Sequence, residues 1–143
     1  MFIRVPIIHM ASTSPKIYAQ AIGRRKSAVA SARLVSGSGK VTVNGKPAEK
    51  YFPGVTAAIR YAQPFSILSL TKYDATIMVH GGGLHGQLDA AVLAISNALV
   101  KFKSEYKPPL RQQGLMTRDS RTRQRRMIGT GGKSRRKKQS PKR

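Results

Sequence analysis

One long amphipathic helix is the clearest prediction of the hydrophobic pattern. Its apolar residues recur every three or four positions and share one face. They are Leu84, Leu88, Ala91, Ile95, Leu99 and Phe102. A second strip, formed by Ala90, Ala94 and Ala98, carries only methyl groups. We therefore expect the helix, which should end near Lys103, to lie close against a sheet, with Ala94 and Ala98 facing packed protein.

Four shorter apolar segments predict strands, and turn residues separate them. The strands are predicted at residues 16–22, 27–35, 41–43 and 73–79. Gly23 should bend the chain after the first strand, and Asn44-Gly45 is a strong signal for a tight turn. The last strand leads through three glycines directly into the long helix.

Prolines are expected to divide the remaining helices. Residues 55–61 and 63–70 predict two short helices, because the residue before Pro64 avoids helical geometry. The Pro108-Pro109 pair should interrupt the chain after the long helix. Residues 110–116 then predict one more helical piece.

This order of elements predicts an α+β fold, in which one sheet carries helices on one face in a two-layer arrangement. We divide the chain into an N-terminal extension (1–15), a globular domain (16–110) and a long, extended basic tail (111–143). From Thr117 onward no apolar periodicity remains. Residues 118–143 alone should be disordered, because they have nothing to bury.

The charge makes a polyanion the expected partner, since the chain carries a net +22 on 143 residues. Residues 1–110 contribute a net +10, and the much shorter stretch 111–143 contributes a net +12. Nucleic acid is the expected polyanion. A membrane surface is the rival, but the sequence has no long apolar segment and no basic amphipathic helix. The absence of cysteine excludes disulfides and thiol chemistry.

Candidate catalytic and metal-binding residues do not assemble into a site. The five acids are scattered along the sequence, and His80 and His85 have no cysteine and few acids to join them as metal ligands. The stretch ending in Gly132-Lys133-Ser134 is similar to a phosphate-binding loop, but Met127 stands where that pattern needs its first glycine. The sequence therefore predicts neither an enzyme nor a metal or cofactor site.

Two local motifs are candidate phosphate ligands. The glycine loop, Gly81-Gly82-Gly83, precedes a helix N-terminus, where uncovered N–H groups and the positive end of the helix dipole attract phosphate. A tight strand-to-helix turn without a ligand is the alternative. The basic turn, Arg24-Arg25-Lys26, places three adjacent cations between two strands. Ordinary solvated charge is the alternative there.

Three segments resemble the signatures of the bacterial-type small-subunit ribosomal protein nine family. The first runs from the glycine loop through Gly86-Gln87 and the small residues of the long helix to Leu99. The second is GRRKSAVA at residues 23–30, and the third is GLMTRD at residues 114–119 with the basic end Lys142-Arg143. The resemblance covers about residues 16 to 143. Family members usually carry a basic residue where this chain has Asn97, often one at Val92, and an aromatic residue near the C-terminus.

The resemblance implies the fold of the second domain of ribosomal small-subunit protein five. It also implies a structural role in the head of the small subunit, bound to the 3′ major domain of its rRNA and beside neighbouring head proteins. The tail would thread between rRNA helices toward the peptidyl-site tRNA. A bacterial cytoplasmic ribosome is the expected location, with plastid or mitochondrion as alternatives.

The family match and the charge together nominate cations of the basic turn and the tail, with the glycine loop, as RNA-binding residues. They are Arg24, Arg25, Lys26, Gly81, Gly82, Gly83, Arg118, Arg121, Arg123, Arg125, Arg126, Lys133, Arg135, Arg136, Lys137 and Lys138. Lys142 and Arg143 are the candidates for tRNA contact. The alternative function is a free-standing, chromatin-type DNA- or RNA-binding protein. That class normally shows a helix-turn-helix, a zinc module or a dimer-forming element, and the sequence contains none of these.

Overall fold

The computed structural model describes residues 16–129, which form an α+β fold with one mixed sheet. The strands are β1 (Ile17–Arg25), β2 (Ala28–Ser36), β3 (Val41–Val43), β4 (Lys46–Pro47) and β5 (Tyr73–His80). The helices are α1 (Ala48–Tyr51), α2 (Val55–Ile67), α3 (Leu84–Phe102) and α4 (Lys107–Gln112), and a 3₁₀ turn (Ser104–Tyr106) precedes α4. The four predicted strands and the long helix are all confirmed. The N-terminal extension lies outside the described residues.

The sheet has the order β1-β2-β5-β3-β4. β1, β2 and β5 are antiparallel neighbours, whereas β3 runs parallel to β5. The β1–β2 hairpin turns between Arg25 and Ala28, and Ala30 pairs with Val79 on β5. This order puts the end of β5 beside the β1–β2 turn, so that the glycine loop and the basic turn meet at one end of the sheet.

One face of the sheet is buried under α3 and the other is open. On β2 the alternate residues from Ala28 to Leu34 have no exposed surface, while Val29 between them is 38% exposed. β5 alternates in the same way, with Ile77 fully buried and Met78 47% exposed. This period of two is the signature of a sheet with one covered face, and it confirms the α+β prediction.

Gly23 lies inside β1, paired with Ala30, and the prediction that it bends the chain is wrong. A Cβ atom built on Gly23 would overlap the carbonyl oxygen of Ala90 and come within 2.5 Å of the backbone nitrogen of Ala94. Glycine is needed there because the strand and the helix backbone approach too closely for any side chain. Ala94 and Ala98 are fully buried, as predicted.

α2 is a single helix, so the prediction of two helices divided at Pro64 is also wrong. A proline inside a helix removes one backbone hydrogen bond and crowds the carbonyl four residues earlier, which here belongs to Arg60. Pro64 is among the fully buried residues. Burial of the ring in the core favours the continuous helix and offsets these local costs.

The Pro108-Pro109 pair begins α4 instead of interrupting the chain before a helix at 110–116. Proline is tolerated in the first turn because the N–H groups there have no intrahelical acceptor. The helix starts at Lys107 and buries Leu110 completely, so it crosses the boundary predicted at residue 110 between domain and tail. The division into domain and tail itself stays a prediction. Leu84 also departs from the expected apolar face, since it is 52% exposed at the start of α3.

Candidate nucleic-acid interface

The glycine loop reverses the chain between β5 and α3. Gly81 and Gly82 have φ angles of 71° and 66°, in the left-handed region that favours glycine, and Gly83 caps α3 with extended backbone. No side chain among residues 16–129 hydrogen-bonds to this helix start as a cap. The first N–H groups of α3 therefore remain available to an anion at the positive end of the helix dipole.

Three polar side chains that no sequence motif marked as functional hold the end of β5 and the glycine loop in place. The Gln87 side chain donates a hydrogen bond of 3.0 Å to the carbonyl oxygen of Gly81, and it accepts one of 2.9 Å from the Tyr51 hydroxyl. Asn44 hydrogen-bonds both the N–H and the C=O of Val79, at 2.9 and 3.0 Å. The only sequence signals were the Asn44-Gly45 turn and the Gly86-Gln87 pair of the family signature.

The glycine loop lies against Ser27 and Ala28, the two residues that directly follow the basic turn. A Cβ atom on Gly81 would come within 2.7 Å of the Ser27 carbonyl oxygen, and one on Gly82 within 3.0 Å of the Ala28 Cβ. Arg24 and Lys26 are exposed, and Lys26 has a φ of 53°, which turns the chain between β1 and β2. The β1–β2 turn and the glycine loop, which are far apart in sequence, are thus neighbours at one end of the sheet.

Arg25 differs from its neighbours because its guanidinium group is already occupied. It donates a hydrogen bond of 2.7 Å to the carbonyl oxygen of Arg121 and lies 3.1 Å from a carboxylate oxygen of Asp119. Its Nε lies 3.6 Å from Asp89 on α3, which pairs with Arg60 at 2.9 Å. The side chain of Arg25 is only 13% exposed. Arg25 is therefore bound within the protein.

Asp119 binds Arg121 as well as Arg25. The Arg121 backbone N–H donates to it at 3.0 Å, and the Arg121 guanidinium makes a two-pronged contact with Nη2 at 2.7 Å. The hydrogen bonds from the Arg121 side chain and backbone, with the charges of both arginines, hold the pKa of Asp119 well below its usual range. The carboxylate therefore stays ionised at any physiological pH.

The described part of the tail, residues 117–129, contains no helix or strand. Its nominated cations Arg118, Arg121, Arg123 and Arg125 are exposed, and Arg126 is partly exposed. The remaining nominated tail residues lie outside the described residues. They are Lys133, Arg135, Arg136, Lys137, Lys138, Lys142 and Arg143.

The two departures of α3 from the family pattern have structural roles. Val92 is 6% exposed, so its side chain is packed in the protein. Asn97 donates a hydrogen bond of 3.2 Å to the carbonyl oxygen of Ile22 on β1, and Lys101 donates one of 3.3 Å to that of Gln20. The side of α3 that carries Asn97 and Lys101 is thus engaged with the edge of the sheet.

Residues 16–129 contain no group of three His, Asp or Glu side chains that could hold a metal ion. Within the same part of the chain, no helix is both long and apolar enough to cross a bilayer. His80 and His85, the histidines beside the glycine loop, are exposed.

A family model and individual relatives indicate the same protein family. Residues 23–143 match the family model described as Ribosomal protein S9/S16. The chain is 46% identical over 113 residues to "Small ribosomal subunit protein uS9" of Porphyromonas gingivalis, over 78% of this chain and 88% of the relative. It is 43% identical over 118 residues to the protein of that name from Maridesulfovibrio salexigens (82% and 91%). The Thermus thermophilus relative is 44% identical over 108 residues (75% and 84%).

Proposed function

Because the chain belongs to the ribosomal protein S9/S16 family, we propose that it binds small-subunit rRNA through the surface formed by the basic turn, the glycine loop and the tail. The protein is a structural, non-enzymatic constituent of the small ribosomal subunit and acts in translation. Its bacterial relatives agree with the expected location on a cytoplasmic bacterial ribosome. Family membership replaces the alternative of a free-standing chromatin-type protein.

The observation that carries this proposal is that the glycine loop contacts Ser27 and Ala28, which directly follow the basic turn. Arg24 and Lys26 are exposed, and no side chain among residues 16–129 caps the start of α3 at the glycine loop. Charged side chains and helix N-termini are the two common protein ligands of nucleic-acid phosphates. Their convergence from distant parts of the chain favours a phosphate site over two unrelated surface turns.

The finer partners follow from the family resemblance and remain part of the proposal. They are the 3′ major domain of the rRNA, neighbouring head proteins and the peptidyl-site tRNA, which Lys142 and Arg143 at the end of the tail would contact. Reach supports the tRNA contact, because the residues from 129 to 143, if fully extended, span up to about 50 Å. The likeness to the second domain of ribosomal protein five belongs to the same proposal.

The proposal is tested by measuring RNA binding of the variant Arg24→Ala/Lys26→Ala against that of Lys72→Ala. Lys72 is exposed just before β5, at the opposite end of the sheet from the glycine loop. We expect the double variant to be incorporated poorly into subunits. Its salt slope of rRNA binding should fall by about 0.7 to 0.9 for each phosphate that the protein no longer binds. Equal slopes and equal incorporation for all proteins would show that the basic turn is ordinary surface charge.

A further inference from the structure

We propose that Arg25 and Asp119 form a clasp that holds the tail base, residues 117–123, against the β1–β2 turn and thereby builds a phosphate-binding cleft from Lys26, Arg121 and Arg123. Arg25 is then a positioning residue and not itself an RNA ligand. The inference rests on the proposed function in one respect, namely that the ligand is the phosphate backbone of RNA.

The geometry of Arg25 supports the positioning role. Its nitrogens contact the Arg121 carbonyl oxygen at 2.7 Å, the Asp119 carboxylate at 3.1 Å and the Asp89 carboxylate at 3.6 Å. A guanidinium group presents its donors in one rigid plane, and here that plane points at three internal acceptors. With 13% of its side chain exposed, Arg25 has little surface left for an external phosphate.

The clasp is fixed to the rigid part of the domain through Asp89. This residue lies on α3, and its carboxylate is shared between Arg25 of β1 and Arg60 of α2. The position of the Arg25 side chain is therefore set from three elements of the fold. A tail residue that binds Arg25 acquires a defined position, although the tail base contains no helix or strand of its own.

Two of the chain's few acids lie where they can offset the repulsion between the cations of the tail base and those of the basic turn. Asp89 and Asp119 are two of only five acidic residues in a chain of net charge +22, and both contact Arg25. The tail base places Arg121 and Arg123 around one cleft with Lys26, and Arg118 around another with Arg24. These like charges repel, and the two carboxylates between them are what makes close approach favourable.

An open cleft of about 390 Å³ lies between the β1–β2 turn and the tail base. Its lining residues are Arg25, Lys26, Arg121, Thr122 and Arg123, and these described residues include no carboxylate. Arg121 is 83% exposed while it contacts Asp119, so part of its guanidinium still faces outward. The cations Lys26, Arg121 and Arg123 suit a phosphodiester oxygen, because a bound anion offsets the repulsion among them. The threonine hydroxyl in the same cleft can also bind this oxygen.

The decisive experiment neutralises an acid and measures binding of the full-length chain to a transcript of the small-subunit rRNA. Asp119→Asn and Glu105→Gln raise the net charge equally, but Glu105 lies in the exposed 3₁₀ turn, outside the clasp. Charge alone predicts that both variants bind as tightly as the parent or tighter. The clasp predicts that Asp119→Asn binds about three- to tenfold more weakly, since its cleft is no longer assembled.

Hydrogen exchange of the RNA-free chain separates the clasp from the cleft. In Asp119→Asn, amides of the tail base should exchange faster while those of β2 stay protected, which shows that the domain is folded. In Arg123→Ala, exchange should be unchanged while the salt slope of RNA binding falls. Parent-like RNA affinity in Asp119→Asn overturns the inference, as does unchanged exchange of its tail base. Hydrogen exchange uses no RNA, so a failure of the clasp is distinguished from a failure of the proposed rRNA binding, which the Arg24→Ala/Lys26→Ala variant tests separately.

Discussion

Gly23 of β1 and Ala94 of α3 are in backbone contact, since a single added methyl group on Gly23 would come within 2.5 Å of the Ala94 nitrogen. The contact joins the strand that carries the basic turn to the helix that begins at the glycine loop. The basic turn and the glycine loop are therefore carried by two elements whose backbones are in close contact. Small residues on both sides are a requirement of that approach.

Gly23→Ala is expected to destabilise the domain by about 1–3 kcal/mol or more, because backbone atoms of the helix would have to move. The matched control is Gly83→Ala, since no heavy atom of the described residues lies within 4 Å of a Cβ at Gly83 and its φ is extended. That control should cost less, about 0.5–1 kcal/mol, because alanine is a poorer N-cap than glycine. Urea unfolding of the full-length protein measures both values, and equal stability of the two variants would contradict the close approach.

Gln87→Leu should loosen the glycine loop, because it removes the donor to the Gly81 carbonyl and the acceptor for the Tyr51 hydroxyl. We expect a loss of stability of about 1–3 kcal/mol together with weaker rRNA binding. Tyr51→Phe removes the bond to Gln87 and the acceptor of a 3.4 Å hydrogen bond from Asn44, but it leaves the bond from Gln87 to Gly81 and should have the smaller effect on binding. If Tyr51→Phe weakened binding as much as Gln87→Leu, the loop would not depend on Gln87.

Asp119 should titrate below the usual range for a carboxyl group, because Arg121 and Arg25 stabilise its ionised form. A group whose pKa is lowered by folding contributes stability above its unfolded pKa, about 3.9, and that stability is lost as the pH falls toward the folded value. Carboxyl chemical shifts in an NMR titration measure this directly. In Arg121→Gln the Asp119 midpoint should move back toward its usual range, and an ordinary midpoint in the parent protein would disprove the contact.

Deletion of residues 139–143 should reduce affinity for peptidyl-site tRNA more than it reduces subunit yield. This segment includes Lys142 and Arg143, and each phosphate that is no longer bound should lower the salt slope of binding by about 0.7 to 0.9. Replacing both residues by glutamine keeps the length of the tail and should reproduce the weaker binding. Equal tRNA affinity of all three proteins at low and moderate salt would mean that the tip serves rRNA packing alone.

Local patterns predicted the elements that local physics decides. The apolar segments that form β2 and β5 and the apolar face of α3 were readable because each depends on residues a few positions apart. The Asn44-Gly45 turn was readable because both residues take positive φ angles, 48° and 76°. Composition and charge predicted only that the protein binds a polyanion. The signature segments indicated which family it belongs to.

Contacts between distant residues could not be predicted in this way. Arg25 reads as one of three equivalent surface cations, yet its hydrogen-bond acceptor on Arg121 lies 96 positions away. The acids read as scattered, whereas Asp74 accepts three backbone N–H groups of residues 38–40 at 2.8 Å each. Pro64 reads as a helix break because its burial is a property of the assembled core. In each case a tertiary partner overrides the local preference.

The hydrogen bonds from Asn97 and Lys101 also bear on the interval between synthesis and assembly of the subunit. Among residues 16–129, β1 pairs with β2 alone and forms the edge of the sheet, and such edges invite strands of other chains. Asn97 and Lys101 occupy the carbonyl oxygens of Ile22 and Gln20 from within the same chain. An intruding strand would have to displace both and approach a lysine charge. The edge is thereby guarded against aggregation while the protein is still without RNA.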